Sequence, residues 1–217
     1  TYSENISGLA DCVGEGLEVI TNPDGTFTVD IERLDAVYVD GVSGDDANSG
    51  ADSENAVKTI DKAMGLVSAD GVIYISGKVT INSEASISGV TIKRADDYFG
   101  QLISVDGSNA ELTLTNVTVD GNKIADTSST GYLVFVSNGA TLNVEEGTRL
   151  INNMATAVYV NVSSFMNMSG GAISGNTSPY AGGGIDNCGT TVISGGEISS
   201  NSAATNFTGG GIFNERG

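Results

Sequence analysis

The sequence predicts an all-β chain wound as a three-sided parallel β-helix, a solenoid closed at its N-terminal end by a short helix. The first observation behind this is a phrase that occurs twice. Gly170-Gly-Ala-Ile-Ser-Gly-Asn176 returns as Gly195-Gly-Glu-Ile-Ser-Ser-Asn201, and Gly182-Gly-Gly-Ile-Asp-Asn187 returns as Gly209-Gly-Gly-Ile-Phe-Asn214. A period of about 25 residues, built from short β-prone runs separated by Gly and Asn, marks an architecture whose units stack on their neighbours. The second observation is alternation of apolar with small or polar residues in each run, which turns one face inward and the other to water. The third is composition: 30 Gly, only 2 Pro, and neither Trp nor His describe a turn-rich β protein with small residues at tight corners.

Each coil reads as three strands. The first runs through Val90–Lys93, Val117–Asn122, Thr148–Asn153, Gly171–Asn176 and Gly196–Asn201; the second through Leu102–Val105, Leu133–Val136, Ala157–Val160, Gly184–Ile185 and Gly211–Ile212. The third runs through Leu112–Leu114, Leu142–Val144, Phe165–Met168 and Thr191–Ile193. Asn122, Asn153, Asn176 and Asn201 close the first strand of successive coils. An Asn at such a bend tolerates left-handed geometry and bonds neighbouring backbone, so a structural ladder of stacked Asn is expected.

The N-terminal third has a different texture. Residues 1–36 hold a predicted hairpin, with Leu17–Ile20 and Thr26–Ile31 flanking the turn sequence Asn22-Pro-Asp-Gly25. Residues 37–69 hold a strand, an Asp/Asn/Ser/Gly-rich loop over 40–50, and a helix near 56–67. The helix follows from Val57, Ile60, Met64 and Val67 at helical spacing, with Asp52 or Ser53 as N-cap. Residues 70–217 are the coils. The apolar stripe of the helix is suited to cover the first coil, whose core and strand edge would otherwise be open.

The run from Val37 through Asp40-Gly-Val-Ser-Gly-Asp-Asp-Ala-Asn-Ser-Gly50 to Val57-Lys-Thr-Ile-Asp-Lys-Ala-Met64 resembles the opening of secreted, pectate-lyase-like right-handed parallel β-helix proteins. The repeats at 170–214 are similar to those of bacterial cell-surface β-helix adhesins. The resemblance implies right-handed coils, an N-terminal helical cap, and secretion or display on a bacterial surface. It leaves activity open, because the fold carries lyases, hydrolases, tailspikes and adhesins alike.

Composition narrows the function. A net charge of −18 repels nucleic acid and anionic membrane, so neither is expected as a partner. No run of about 18 apolar residues suggests membrane insertion. Without His, zinc hydrolase and Ser/His chemistry lose their usual groups. Cys12 and Cys188 read as separate thiols or one long-range bridge. No cofactor is expected; Asp40, Asp45, Asp46 and Asn48 are the place where calcium would sit, against the alternative of Asx-stabilised turns. Among the acids, Asp106 and Asp186 are expected in one ladder with Ser137 and Asn161, about 14 Å apart and too distant to act as a glycosidase pair. Glu111, Glu145 and Glu197 are expected to lack an acidic neighbour one coil away.

The expected binding surface lies in insertions after the first strand of each coil, which should emerge on one side. That side would gather Tyr98, Phe99, Tyr132, Tyr180 and Phe207 with Asp96, Asp97 and Asp126. The residues singled out for ligand binding are Asp96, Asp97, Tyr98, Asp126, Tyr132 and Tyr180, because aromatic faces and carboxylates suit sugar rings; rings folded back over the coil edge are the alternative. Two functions follow. One is a non-catalytic, adhesin-type surface module binding a glycan or host surface protein. The other is the N-terminal part of a carbohydrate-active enzyme, a hydrolase or lyase, kept in view by Lys93, Arg94 and Lys123 beside the acids. The last coil ends with Ile185, Ile193, Ile198 and Ile212 expected near an open end, so further coils or end-to-end association is expected there.

Overall fold

The computed structural model describes residues 17–31, 33–123 and 131–215. The described part opens on an antiparallel hairpin, β1 (Leu17–Thr21) and β2 (Phe27–Ile31), in which Leu17 pairs with Ile31 and Thr21 with Phe27. Its turn is the predicted one, held by the Thr26 amide and hydroxyl donating to Asp24 Oδ1. Then come β3 (Leu34–Asp40), α1 (Ile60–Leu66) and the coils.

The coils are β4 (Val67–Gly77), β5 (Val79–Ile81), β6 (Glu84–Ser88); β7 (Thr91–Arg94), β8 (Ile103–Asp106), β9 (Glu111–Thr115); β10 (Thr118–Asp120), β11 (Val134–Ser137), β12 (Thr141–Val144); and β13 (Arg149–Ile151), β14 (Val158–Val160), β15 (Phe165–Met168). Two more follow, with an extra short strand in each: β16 (Ala172–Ser174), β17 (Thr177–Ser178), β18 (Ile185–Asn187), β19 (Thr190–Ile193); then β20 (Glu197–Ser199), β21 (Ser202–Ala203), β22 (Ile212–Asn214). They build three parallel sheets. The first runs β3-β4-β7-β10-β13-β16-β20, the second β5-β8-β11-β14-β18-β22, and the third β6-β9-β12-β15-β19. Among the described residues the molecule is therefore a parallel β-solenoid of about 5 turns with one short helix, and the division of its coils into three sheets follows the sequence assignment.

Register follows from which residues can be buried. Ile73, Ile92, Val119, Leu150 and Ile173 pair along the first sheet; Val79, Ile103, Val134, Val158 and Ile185 along the second; Leu112, Leu142 and Met166 along the third. All are buried in one continuous core. Slipping any strand by one residue would turn this set to water, so stacking identical apolar positions fixes the register. Toward the last coils the interior turns polar. The ladder Val105, Val136, Val160 continues as Asn187 and Asn214, joined Nδ2 to Oδ1 at 2.8 Å, and the Thr191 hydroxyl donates to Asn187 Oδ1 at 2.9 Å. Ile185 is fully buried, contrary to expectation, because β22 covers it; Ile193 and Ile212 are exposed and Ile198 half-buried.

The repeated Gly-Gly-Gly phrase has a steric cause. Gly183 N donates to Gly209 O and Gly184 N to Gly210 O, each at 3.2 Å, stacking one glycine run on the other. A Cβ at Gly183 would stand 2.3 Å from Ser202 O, and one at Gly184 2.5 Å from Gly211 O. Only bare backbone fits there.

The cap differs in detail from its sequence reading. Helix α1 starts at Ile60, and its N-cap is Thr59, whose hydroxyl accepts from Lys62 N at 3.2 Å. Asp52 instead accepts from Glu54 N, Asn55 N and Asn55 Nδ2, folding its own turn. Val57 lies before the helix and bridges Val39 in parallel, while Val67 opens β4. Ile60 and Ala63 are the helix residues that enter the core. At the other end Arg33 Nη1 donates to the carbonyls of Met64, Gly65 and Val67, a cation on the negative end of the helix.

The loop over 40–50 spends its acids on turns. Asp40 Oδ1 accepts from Val42 N and Ser43 N, Asp45 Oδ1 from Ala47 N, and Asn48 Nδ2 donates to Ala56 O. Asp46 clamps the cap: Oδ1 accepts from Lys58 N and Thr59 N at 2.9 Å and Oδ2 from the Thr59 hydroxyl at 2.8 Å. Desolvation is the largest single influence on Asp46 and raises its pKa, but the bonds from Thr59 and Lys58 outweigh it and hold the carboxyl below its ordinary value. With the folded pKa the lower one, this stabilisation is present above the unfolded value of 3.8 and is lost as pH falls through the folded value. Asp46→Ala is expected to cost about 1–2 kcal/mol at neutral pH. In thermal melts across pH, the gap between variant and parent should close below about pH 4; a gap independent of pH would contradict the clamp.

Candidate functional site

The corner between the first and second sheets carries every insertion. Its backbone is held by a chain of side chains that reach from coil to coil. Asn153 N donates to Asn176 Oδ1 at 3.0 Å, and Asn176 N donates to Asn201 Oδ1 at 3.1 Å. Asn176 Nδ2 donates to Leu150 O and Asn201 Nδ2 to Ile173 O. The left-handed residue at these bends is the one before the ladder Asn, namely Asn152, Gly175 and Ser200, rather than the ladder Asn itself.

Asn122 departs from this pattern. It is itself left-handed at φ 51° and turns its amide to Arg94 O and Asp96 Oδ1. The ladder position it vacates is filled from the preceding coil by Arg94, which is 2% exposed. The guanidinium donates to Gly121 O at 3.1 Å, Gly131 O at 3.0 Å, Asn153 Oδ1 at 3.1 Å and Gly100 O, and lies 5.9 Å from the Tyr98 ring centroid. Burial pushes its pKa down to about 10, so it stays a cation at neutral pH. Sequence reasoning offered Arg94 as a cation for an enzyme anion. It is a buried staple for three corners, and no substrate reaches it.

The residues chosen from sequence divide between two places. Asp96, Asp97 and Tyr98 line a shallow cavity of about 280 Å³ with Tyr38, Ser53 and Ser76, beside the cap. Tyr98 is folded back: its hydroxyl donates to Gln101 O at 2.7 Å and its ring packs on the core. Tyr132 and Tyr180 line a second cavity of about 260 Å³ with Gly131, Ala155, Thr156, Ser178, Pro179 and Asp186. Tyr180 is 66% exposed and meets Phe207 edge-on at 5.7 Å. The two loops that carry these rings are tied by β17 pairing with β21. Lys123 Nζ bonds the Thr177 hydroxyl at 2.8 Å. Asp126 lies outside the described residues, as does Cys12; Cys188 is a buried free thiol.

The second cavity opens beside an outward row that the sequence reading misplaced. Asp186 pairs with Tyr159 and Phe213, not with the Asp106 and Ser137 ladder, because Ile185 must stack on Val158 and this sets Asp186 two residues earlier, on the same outward face. Outward positions of the second sheet therefore read Phe135, Tyr159, Asp186, Phe213. Tyr132, Phe135 and Tyr159 form an aromatic cluster with centroids 5.2 to 5.9 Å apart. Against this wall burial, reinforced by Glu215, raises the Asp186 pKa to about 6. Asp186 Oδ1 is buried with no hydrogen-bond partner among the described residues. Tyr159 and Cys188 share a hydrogen bond of 3.2 Å, which together with desolvation raises the phenol, while burial raises the thiol. Alternation in the second strand marks these residues as outward, but the misregister is two residues, which keeps the same face, so alternation alone could not reveal it.

Elsewhere the acids are structural or solvated. Glu145 Oε2 accepts from the Thr115 hydroxyl and Glu111 Oε1 from Asn143 Nδ2. Glu111 does have an acidic neighbour, Glu84, directly paired with it on the exposed face of the third sheet. Among the described residues, no helix is long and apolar enough to cross a membrane. No protein-family model matches the chain, and neither a curated protein nor a solved structure matches it.

Arg94→Ala would remove the guanidinium donor from Gly100 O, Gly121 O, Gly131 O and Asn153 Oδ1, and is expected to cost about 3 kcal/mol or more. Arg94→Lys should recover only part of this, since one ammonium cannot span the same acceptors. Urea denaturation measures both; a cost under about 1 kcal/mol for the alanine variant would show the corners need no staple.

Proposed function

We propose that this chain is a rigid, non-catalytic surface-binding module of the β-helix adhesin type, secreted or displayed on a bacterial cell surface, which takes a glycan on the corner side of the solenoid. The observation that carries this reading is the cavity in which Tyr132, Tyr180 and Asp186 converge. Apolar ring faces stand beside hydroxyls of Thr156 and Ser178 and a carboxyl, on a frame locked by coil-to-coil hydrogen bonds. Sugars present C–H faces and hydroxyls together, which such a surface complements. A preformed site loses little freedom on binding. The pectate-lyase-like resemblance of the cap and the surface repeats of 170–214 support an extracellular setting. A negatively charged chain disfavours polyanions, so neutral or cationic glycans, or a basic host surface protein, fit best.

The second reading, part of a carbohydrate-active enzyme, draws on Asp186, a carboxyl with a pKa near 6 that has Glu215 for a neighbour. Such a pair resembles an acid and a nucleophile in outline. Against it stand the burial of Asp186 Oδ1 and the absence among described residues of an unengaged Arg or Lys in that cavity's lining.

The two readings part on a glycan array run beside assays for new reducing ends and unsaturated products. Tyr180→Ala is expected to weaken glycan binding about tenfold, an anchor aromatic's usual share, without moving the melting temperature. Tyr98→Ala should do the reverse, lowering stability and sparing binding. Absence of any bound glycan would end the proposal, and turnover abolished by Asp186→Asn would establish the enzyme instead.

A further inference from the structure

Three side chains beside the cavity are set together by strand geometry alone. Asp186 lies in β18 and Cys188 one residue past its end, where Cys188 N still donates to Val160 O at 2.8 Å, so the two, two residues apart, project to the same side. The register Asn187↔Asn214, carried on by one residue, brings Glu215 beside Cys188 on the next rung, and Glu215 N donating to Asn187 O fixes that rung at 3.0 Å. One ligand atom from each of Asp186, Cys188 and Glu215 lies within 4.8 Å of the others. Two carboxylates and a thiol are thus brought together, and one oxygen, Asp186 Oδ1, is buried without a hydrogen-bond partner among the described residues. Cys188 is 4% exposed, with the Tyr159 hydroxyl 3.2 Å from its sulfur.

We propose that Asp186, Cys188 and Glu215 form a binding site for one thiophilic divalent transition-metal ion of the zinc class. The donor set decides the class. Calcium and magnesium take all-oxygen shells, whereas a thiolate with two carboxylates suits zinc, cobalt(II) and cadmium. Tetrahedral zinc with bonds of about 2.0–2.3 Å holds its ligand atoms roughly 3.3–3.8 Å apart, within a side-chain rotation of the present arrangement. On binding, the Cys188 S–H gives its proton to solvent and the sulfur bonds the metal; the aspartate and glutamate bind as carboxylates. The phenol of Tyr159 then donates to the thiolate, orienting it as hydrogen-bonding neighbours orient metal ligands elsewhere. Three protein ligands leave a fourth position for water or a ligand atom. The metal would satisfy the orphaned oxygen and cancel the repulsion between Asp186 and Glu215. Its basis is the strand register, independent of what the cavity binds.

The test uses the full chain with Cys12→Ala, reduced and freed of metal by chelation, so that Cys188 is its one thiol. Titration with cobalt(II) should give a sulfur-to-metal charge-transfer band that saturates at one equivalent, is displaced by zinc, and survives a large excess of calcium. Zinc should raise the melting temperature and protect Cys188 from alkylation. Cys188→Ser should abolish the band, and Asp186→Asn or Glu215→Gln should weaken zinc about tenfold or more. Circular dichroism of each metal-free variant reports whether it has folded, and the alkylation readout needs no variant at Cys188. No saturable band, a band unchanged in the Asp186 and Glu215 variants, or displacement by calcium would overturn the site. Glycan binding by the chelated chain is read separately, so the two proposals fail independently.

Discussion

The constraint on which this molecule depends is the corner between its first and second sheets. A coil that bends there must leave the ladder, insert a loop and return in register, and every backbone group exposed by the bend needs a partner inside a packed interior. Asn153, Asn176 and Asn201 supply those partners by reaching from one coil to its neighbour. Where the series lacks an Asn in the right geometry, at Asn122, the guanidinium of Arg94 takes over. It binds three carbonyls and one amide oxygen from a nearly solvent-free position. A charge so placed loses its hydration, as its lowered pKa records. Dense hydrogen bonding offsets that loss and ties together corners that are far apart in sequence.

A locked corner gives the loops and the second sheet a common frame. Outward residues of that sheet recur at the strand spacing of about 4.8 Å, so side chains distant in sequence become neighbours by stacking. The same rule makes an aromatic wall of Phe135 and Tyr159 and then sets Asp186 beside it. Chemistry changes along the solenoid for this reason. Near the cap, carboxylates such as Asp46 accept several hydrogen bonds and serve the backbone. In the last coils, Asp186 is desolvated, and its Oδ1 has no hydrogen-bond partner among the described residues.

Repetition by itself determined most of the fold. The returning Gly-Gly and Asn phrases and the alternation within each run located the three sheets almost to the residue, since a solenoid makes each coil testify to the next. The cap was legible in its apolar spacing, but not its boundary. Val57 had a strand partner, Val39, that helical periodicity cannot reveal, and Asp46 reached Thr59 across a loop. Burial decided the site. Tyr98 and Tyr132 look alike in sequence, yet one folds onto the core near the cap and the other lines a cavity with Tyr180. Arg94 reads as a surface base until the loops of two further coils close over it. Asp186, Cys188 and Glu215 become a group only when the register is exact, because one residue of slip sends a strand's side chains to the opposite face. Local pattern is written into the chain by period and residue type; which side chains lose their water, and which meet across coils, is settled by the stacking of the whole.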